Sequence, residues 1–249
     1  MTSKKLLIAL LSGICFFFSS LQKITAQHSD SVNTFYTAAL HNAREVYHQA
    51  FGDQRALTNG SLYTEYPYKF NEGDPYFGTP APASGSVFYD GVQFDNVLMR
   101  YNEITDELVI NYYADKIQLL KPKIDWFHFY GSDFIKITKD SLSMNLVSSG
   151  FYNRLYNGKI GLFKKEIKTI QQNSSAITEL LTYIEESDYY YLKRADRYFI
   201  IKSKSDLYKL LSDRKKEVKS FIKQHGLNFK KDKQNTLTQS IAFYDSLIK

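Results

Sequence analysis

The sequence predicts an α+β protein: a curved antiparallel β-meander sheet of about nine to eleven strands, with an N-terminal amphipathic helix and C-terminal helices. Three observations predict it. Apolar residues recur at spacings of three and four within residues 31–51 and again beyond residue 205, the period of a helix with one apolar face. Between Ser61 and Ser203 the chain reads as short runs of Tyr, Phe, Val and Ile broken by turn residues. Two of those breaks, Asp90-Gly91 and Asn157-Gly158, are dipeptides that favour type I′ hairpin turns, whose central residues both take positive φ.

The first 26 residues read as an address rather than as part of the fold. Lys4 and Lys5 form a positive start, Leu6 to Phe18 is apolar, and Ala26 places a small residue before Gln27. That is the three-part pattern of a secretory signal peptide cleaved after Ala26. The apolar run falls short of the roughly 20 residues that cross a bilayer. Cys15 is the sole cysteine, and Ile14 before it with Phe16-Phe17-Phe18 after it do not fit a lipid-attachment site. A mature chain starting at Gln27 then lacks cysteine, which excludes disulfides, thiolate metal sites and a cysteine nucleophile. The expected location is outside the cytoplasm, periplasmic or secreted, at most associated with the envelope. Residues 27–249 read as a single β-rich domain.

Within that domain, Asp30 or Ser31 can cap a helix over 31–51, and Gly52 can end it. Its stripe is Val32, Phe35, Tyr36, Ala39, Ala43, Val46, Tyr47 and Ala50. Pro67, Pro75, Pro80 and Pro82 fall among Gly73, Gly78 and Gly85, which reads as a loop or an irregular edge. Leu108, Ile110 and Tyr112 alternate with Val109, Asn111 and Tyr113, as in a strand covered on both faces. Residues 171–178 (QQNSSAIT) read as a polar connection, and Tyr189 to Lys193 with Tyr198 to Ser203 as a hairpin around Arg194-Ala195-Asp196. Leu207, Leu210, Leu211, Val218, Phe221 and Ile222 keep helical spacing up to Gly226. Leu237, Ile241, Tyr244, Leu247 and Ile248 then make a last helix, so 205–249 is a basic helical segment. A terminal helix argues against an outer-membrane barrel, which ordinarily closes with a strand.

Charge is unevenly placed. The net charge is +6, yet Lys193 to Lys233 alone carries net +9, whereas Gln27 to Leu192 carries net −6. Lys215, Lys219 and Lys223 stand four apart and share a helix face with Lys216 beside them. They either contact an anionic surface weakly or form an ordinary solvated face. No aromatic-flanked arginine cluster accompanies them, so nucleic acid is not an expected partner.

Chemistry-bearing residues are plentiful but do not assemble into a motif. His41 and His48 are seven apart, where metal pairs on a helix sit about four apart, so no metal site is expected. His28 falls near the mature terminus, and His128 in WFHFY reads as a strand residue packed by aromatics. Asp90 with Asp95, Asp106 with Glu107, and Glu185 with Glu186 and Asp188 offer carboxylate pairs, but neighbours on a strand point to opposite faces. No serine elbow and no phosphate-cradling glycine loop occurs, and no cofactor is expected. Tyrosines 63, 66, 68, 76, 89, 101, 112 and 113 either fill a half-buried sheet or offer rings to a sugar, peptide or lipid.

The stretches LTNGSLYTEYPYKFNEGDPYF, GSVFYDGVQFDNVLMRYNEITDELVI and YFIIKSKSDLYKLLSDRKKEVKSFIKQHGLNFKKD resemble a group of uncharacterised secreted proteins of Bacteroidetes-type bacteria. The resemblance implies export and brings no activity and no catalytic residue. The functional expectation is therefore an exported, non-enzymatic, β-rich binding or interaction module of the cell envelope, with an envelope partner or ligand. The alternatives are a hydrolase with a carboxylate site, or an adaptor touching anionic envelope surfaces through its basic helices.

Overall fold

A computed structural model describes residues 35–43, 46, 55–138, 147–174 and 180–248. The chain divides into two units, Met1–Asp53 and Gln54–Lys249. In the first unit, residues 35–43 form helix α1 within the predicted 31–51; apart from Val46, the rest of that span and its Gly52 end lie outside the described residues, as do residues 1–26. Within its apolar stripe Phe35 and Tyr36 are 71% and 68% exposed, with their rings 6.4 Å apart. His28 and His48 lie outside the described residues.

The second unit is built on one open antiparallel sheet of eleven strands in the order β1-β5-β4-β3-β2-β6-β7-β8-β9-β10-β11. The strands are β1 (Ser61–Leu62), β2 (Ala83–Tyr89), β3 (Val92–Asn102), β4 (Glu107–Tyr112), β5 (Asp115–Gln118), β6 (Ile124–Phe129), β7 (Ser132–Ile137), β8 (Gly150–Asn157), β9 (Ile160–Ser174), β10 (Leu180–Arg194) and β11 (Arg197–Ile200). Two meanders make it, β2 to β5 and β6 to β11, joined where β6 returns to pair with β2. Helices α2 (Lys204–Leu210), α3 (Lys215–Gln224) and α4 (Lys233–Leu247) follow. The predicted fold class is therefore observed, with the strand count at its upper bound.

Local chemistry explains the hairpins. At the β2–β3 turn Asp90 and Gly91 take φ of 52° and 83°, the type I′ geometry that the dipeptide predicts. Tyr130-Gly131 makes a similar turn between β6 and β7, where the sequence alone gives a weaker signal. Asn96 takes φ of 56° where the β2–β3 register shifts, so β3 carries a bulge. Two expectations change. Neither Asn157 nor Gly158 has positive φ: the β8–β9 hairpin stands where predicted, but Asn157 is still paired, opposite Gly161. Gln171 to Ser174 are strand rather than connection, because they continue the ladder to Leu180–Tyr183.

Side chains alternate across the sheet and so build separate cores. Val87, Tyr89, Met99, Tyr101, Phe127, Phe134 and Phe151 belong to the core of the first half, where Phe127 stacks on Phe134 at 4.6 Å and 11°. In the second half, Ile160, Leu162, Tyr190 and Leu192 face the helices. Leu207, Leu211, Val218, Ile222, Leu237 and Ile241 answer them, each contributing about 1.5–3 kcal/mol by leaving water. Phe163 and Tyr191, the intervening residues, point to the opposite face with Tyr152 and Ile137.

The capping rules also hold at the helices. Ser203 and Asp206 form a reciprocal capping box on α2, and Asp232 caps α4 through Asn235 N–H at 2.9 Å. Gly226, at φ of 62°, ends α3 as predicted. Between β1 and β2 the proline- and glycine-containing segment is irregular, with isolated bridges at Glu72 and Tyr76. Among the described residues no helix is long and apolar enough to cross a membrane.

Candidate functional site

Among the described residues, two concavities bring polar side chains together, one narrow and holding two acids, one open and basic. The narrow one lies beside Phe77, between the end of β3 and β9. It is a cavity of about 10 Å³, lined by Tyr101, Glu103, Phe134, Phe151, Lys164 and Glu166 among others. Space on that scale accommodates about one water molecule. The Glu103 side chain is 1% exposed. Burial, reinforced by the negative charge of Glu166, raises its pKa to about 8 despite the nearby Lys168 cation. Lys168 Nζ is 3.2 Å from Glu103 Oε2 yet not aligned to donate, so neither Glu103 oxygen accepts a hydrogen bond. Burial without an aligned donor favours the neutral, protonated form of Glu103.

Around this cavity the charges serve as ties. Lys168 donates to the carbonyl of Tyr76 at 2.7 Å and pairs with Glu186 at 3.2 Å, holding the irregular segment onto β9. Asp106 accepts from Tyr101 Oη at 2.6 Å, Phe151 N at 3.2 Å, Lys121 at 3.1 Å and Lys165. Glu65, on the same irregular segment, receives Arg100 and Lys116 at 2.5 Å each and Tyr76 Oη at 2.8 Å. Burial works to raise the Glu65 pKa, but those hydrogen bonds outweigh it and hold the carboxyl at about 2. Arg100 also lies 4.4 Å over the Tyr76 ring.

The open concavity, a groove of about 270 Å³, lies on the face of β7 to β11 opposite the helices. The register explains its composition. Gly161, Lys193 and Tyr198 are cross-strand partners on β9, β10 and β11, and Arg154 on β8 is opposite Phe163. All five project from the same face. Lys159, from the β8–β9 turn, adds a third cation, and no carboxylate lines the groove among the described residues. The Phe163 and Tyr198 rings are 6.0 Å apart at 59°, and Lys193 Nζ lies 5.7 Å from the centre of Tyr198. Gly161 provides the room: a Cβ there would come within 2.8 Å of the Phe163 ring.

The residues singled out from the sequence are distributed otherwise. Lys215, Lys219 and Lys223 are all exposed on α3, whose Val218 and Ile222 are buried, and Lys219 Nζ lies 5.3 Å over Tyr208. Asp90 and Asp95 are exposed on the β2–β3 hairpin, Glu107 binds Gln118 at 2.6 Å, and Glu185 binds Gln171 at 3.0 Å. None of these pairs shares a cleft. Among the tyrosines, Tyr76, Tyr89 and Tyr101 are buried framework, whereas Tyr113 is 93% exposed at a turn. His128 is exposed and bonded to Asp133 at 2.7 Å rather than packed by aromatics, because it is on the solvent side of β6. Among the described residues no cluster of three metal-ligating side chains occurs. Glu103, Arg154 and Lys193 are not legible as site residues in the sequence, since Glu103 lies in the β3–β4 turn and Arg154 and Lys193 meet their neighbours only through strand register. The FKKEIK run of β9 was the available signal, a charged stretch inside a strand that needs partners on both faces.

No protein-family model matches the chain, and no curated protein or solved structure does so either.

Proposed function

We propose that the protein is an exported binding module of the cell envelope that does no chemistry of its own. The observation that carries this reading is the open groove of β7 to β11, where aromatic and cationic side chains converge with no carboxylate among the described lining residues. General acid-base hydrolysis needs split carboxylates beside a space that admits substrate. The Glu103–Glu166 pair has the acids but a space of water size, which argues against the hydrolase alternative. Export is supported by the Lys4-Lys5 start, the apolar run and Ala26. Intact mass of the protein recovered from its native host tests it: a mature chain beginning at Gln27 is expected, and one retaining Leu6 to Phe18 defeats it.

A second reading has a specific basis. Lys215, Lys219 and Lys223 lie exposed on one stretch of α3, fit for weak contact with anionic headgroups. Co-sedimentation with anionic vesicles tests it, and about 0.5 M salt should abolish the binding, since screening there shortens to a few Å. Binding unchanged by Lys→Glu substitutions at these positions leaves them a solvated face.

A further inference from the structure

We infer that the groove on β7 to β11 is a binding site for an oxyanion carried on a hexose-sized ring, a carboxylated or phosphorylated sugar unit. The inference rests on the binding-module reading and names the ligand class for that site.

Charge and hydrogen-bond capacity come first. Arg154, Lys159 and Lys193 enter the groove from β8, the β8–β9 turn and β10. Lys159 is partly used, donating to the carbonyl of Ile248. Arg154 gives a single Nη2 contact of 3.3 Å to Asp133, which is shared with His128. Its other N–H groups have no protein acceptor among the described residues. Lys193 likewise forms no ion pair among them and rests against the Tyr198 ring. A forked guanidinium and an ammonium without an ion pair on one concavity, with no acid among the described lining residues, match the requirements of a carboxylate or phosphoryl group.

Shape supplies the second half. The volume of about 270 Å³ lies near the lower end of small-molecule pockets, roughly 300–1,000 Å³. The half-buried Tyr198, backed by the buried Phe163, forms an aromatic wall beside the cations, and Ile135 adds apolar surface. A bare anion has no use for that wall, and a neutral sugar leaves the cations unanswered. A ring bearing an oxyanion uses both, laying its C–H face on the aromatic surface while its charge meets Arg154 and Lys193.

Titration of the mature protein with four probes decides the matter: glucuronate, glucose 6-phosphate, glucose and inorganic phosphate. Either or both of the first two should bind, and glucose and phosphate should each bind about tenfold or more weakly, a factor worth about 1.4 kcal/mol. Preference between glucuronate and glucose 6-phosphate distinguishes a carboxylated from a phosphorylated source. Lys193→Ala and Arg154→Gln should each weaken the preferred probe about tenfold. Raising salt from about 20 to 300 mM should also weaken it. If either variant fails to fold, the salt response of the unaltered protein and the other variant carry the test. Equal binding of glucose and glucuronate removes the anion role, and phosphate binding as well as the sugar acids removes the ring. Affinity unchanged in both variants, or no binding at millimolar concentration, overturns the site. The export reading falls separately, by the mass of the mature chain.

Discussion

Asp245, near the end of α4, accepts the backbone N–H of Ile160 at the start of β9 at 3.1 Å. The same carboxylate takes Tyr156 Oη at 3.0 Å and Lys159 N at 3.2 Å, so one side chain fastens the last helix to the β8–β9 hairpin. Gly158 makes the approach possible, because a Cβ there would fall 2.3 Å from Asp245 Oδ2. Asp245→Ala should therefore cost about 1–3 kcal/mol in denaturant unfolding, the penalty of stranding a buried donor. Gly158→Ala should destabilise the same joint. An Asp245→Ala protein as stable as the parent would show that the joint contributes nothing.

Glu103 should make the protein less stable as pH rises. Its pKa is about 8 in the fold against 4.5 in the open chain. Between those values the native state holds a proton that the unfolded state has lost, so stability falls from about pH 4.5 to 8 and levels off above. Glu103→Gln copies the neutral form and should flatten that slope and raise the melting temperature at pH 8 to 9. An unaltered slope in the variant would assign the effect to another group.

Glu65 acts with the opposite sign. Its pKa is lowered from 4.5 to about 2, so the stability it lends is complete above about pH 4.5 and is lost as pH falls toward 2. Because the carboxylate is 40% exposed, the effect should shrink in high salt. Acid titration of Glu65→Gln should show a shallower decline than the parent. An identical decline would mean that Lys116 and Arg100 give this carboxylate no net preference for its charged form.

Gly91→Val should cost about 1–2 kcal/mol or more, since a β-branched residue at positive φ is strained. Thermal or urea unfolding measures it directly. A neutral outcome would contradict the two-residue turn between Tyr89 and Val92.

Much of the fold was legible because it is local. Apolar spacing placed α3 and α4, the Asp90-Gly91 dipeptide placed a hairpin, and Gly226 ended a helix, each through forces acting within a few residues. The polar run from Gln171 misled because a ladder can continue through polar residues when its partner strand is as long. The groove was out of reach for a different reason. Arg154, Gly161, Lys193 and Tyr198 meet only once four strands are in register, and nothing in their spacing along the chain announces it.

β10 is the feature with the widest reach beyond the groove. It pairs with β9 over its whole length, but β11 covers its other side only from Tyr191 to Arg194. A long bare edge of this kind invites another chain to add a strand. Here the irregular segment intervenes: Asn71 N–H donates to Thr182 O at 2.8 Å, and Ile184 N–H donates to Glu72 O at 3.0 Å. The stretch that follows carries Glu185, Glu186 and Asp188, charges that repel an approaching copy. This cover keeps β10, as long as any strand of the sheet, from templating fibres.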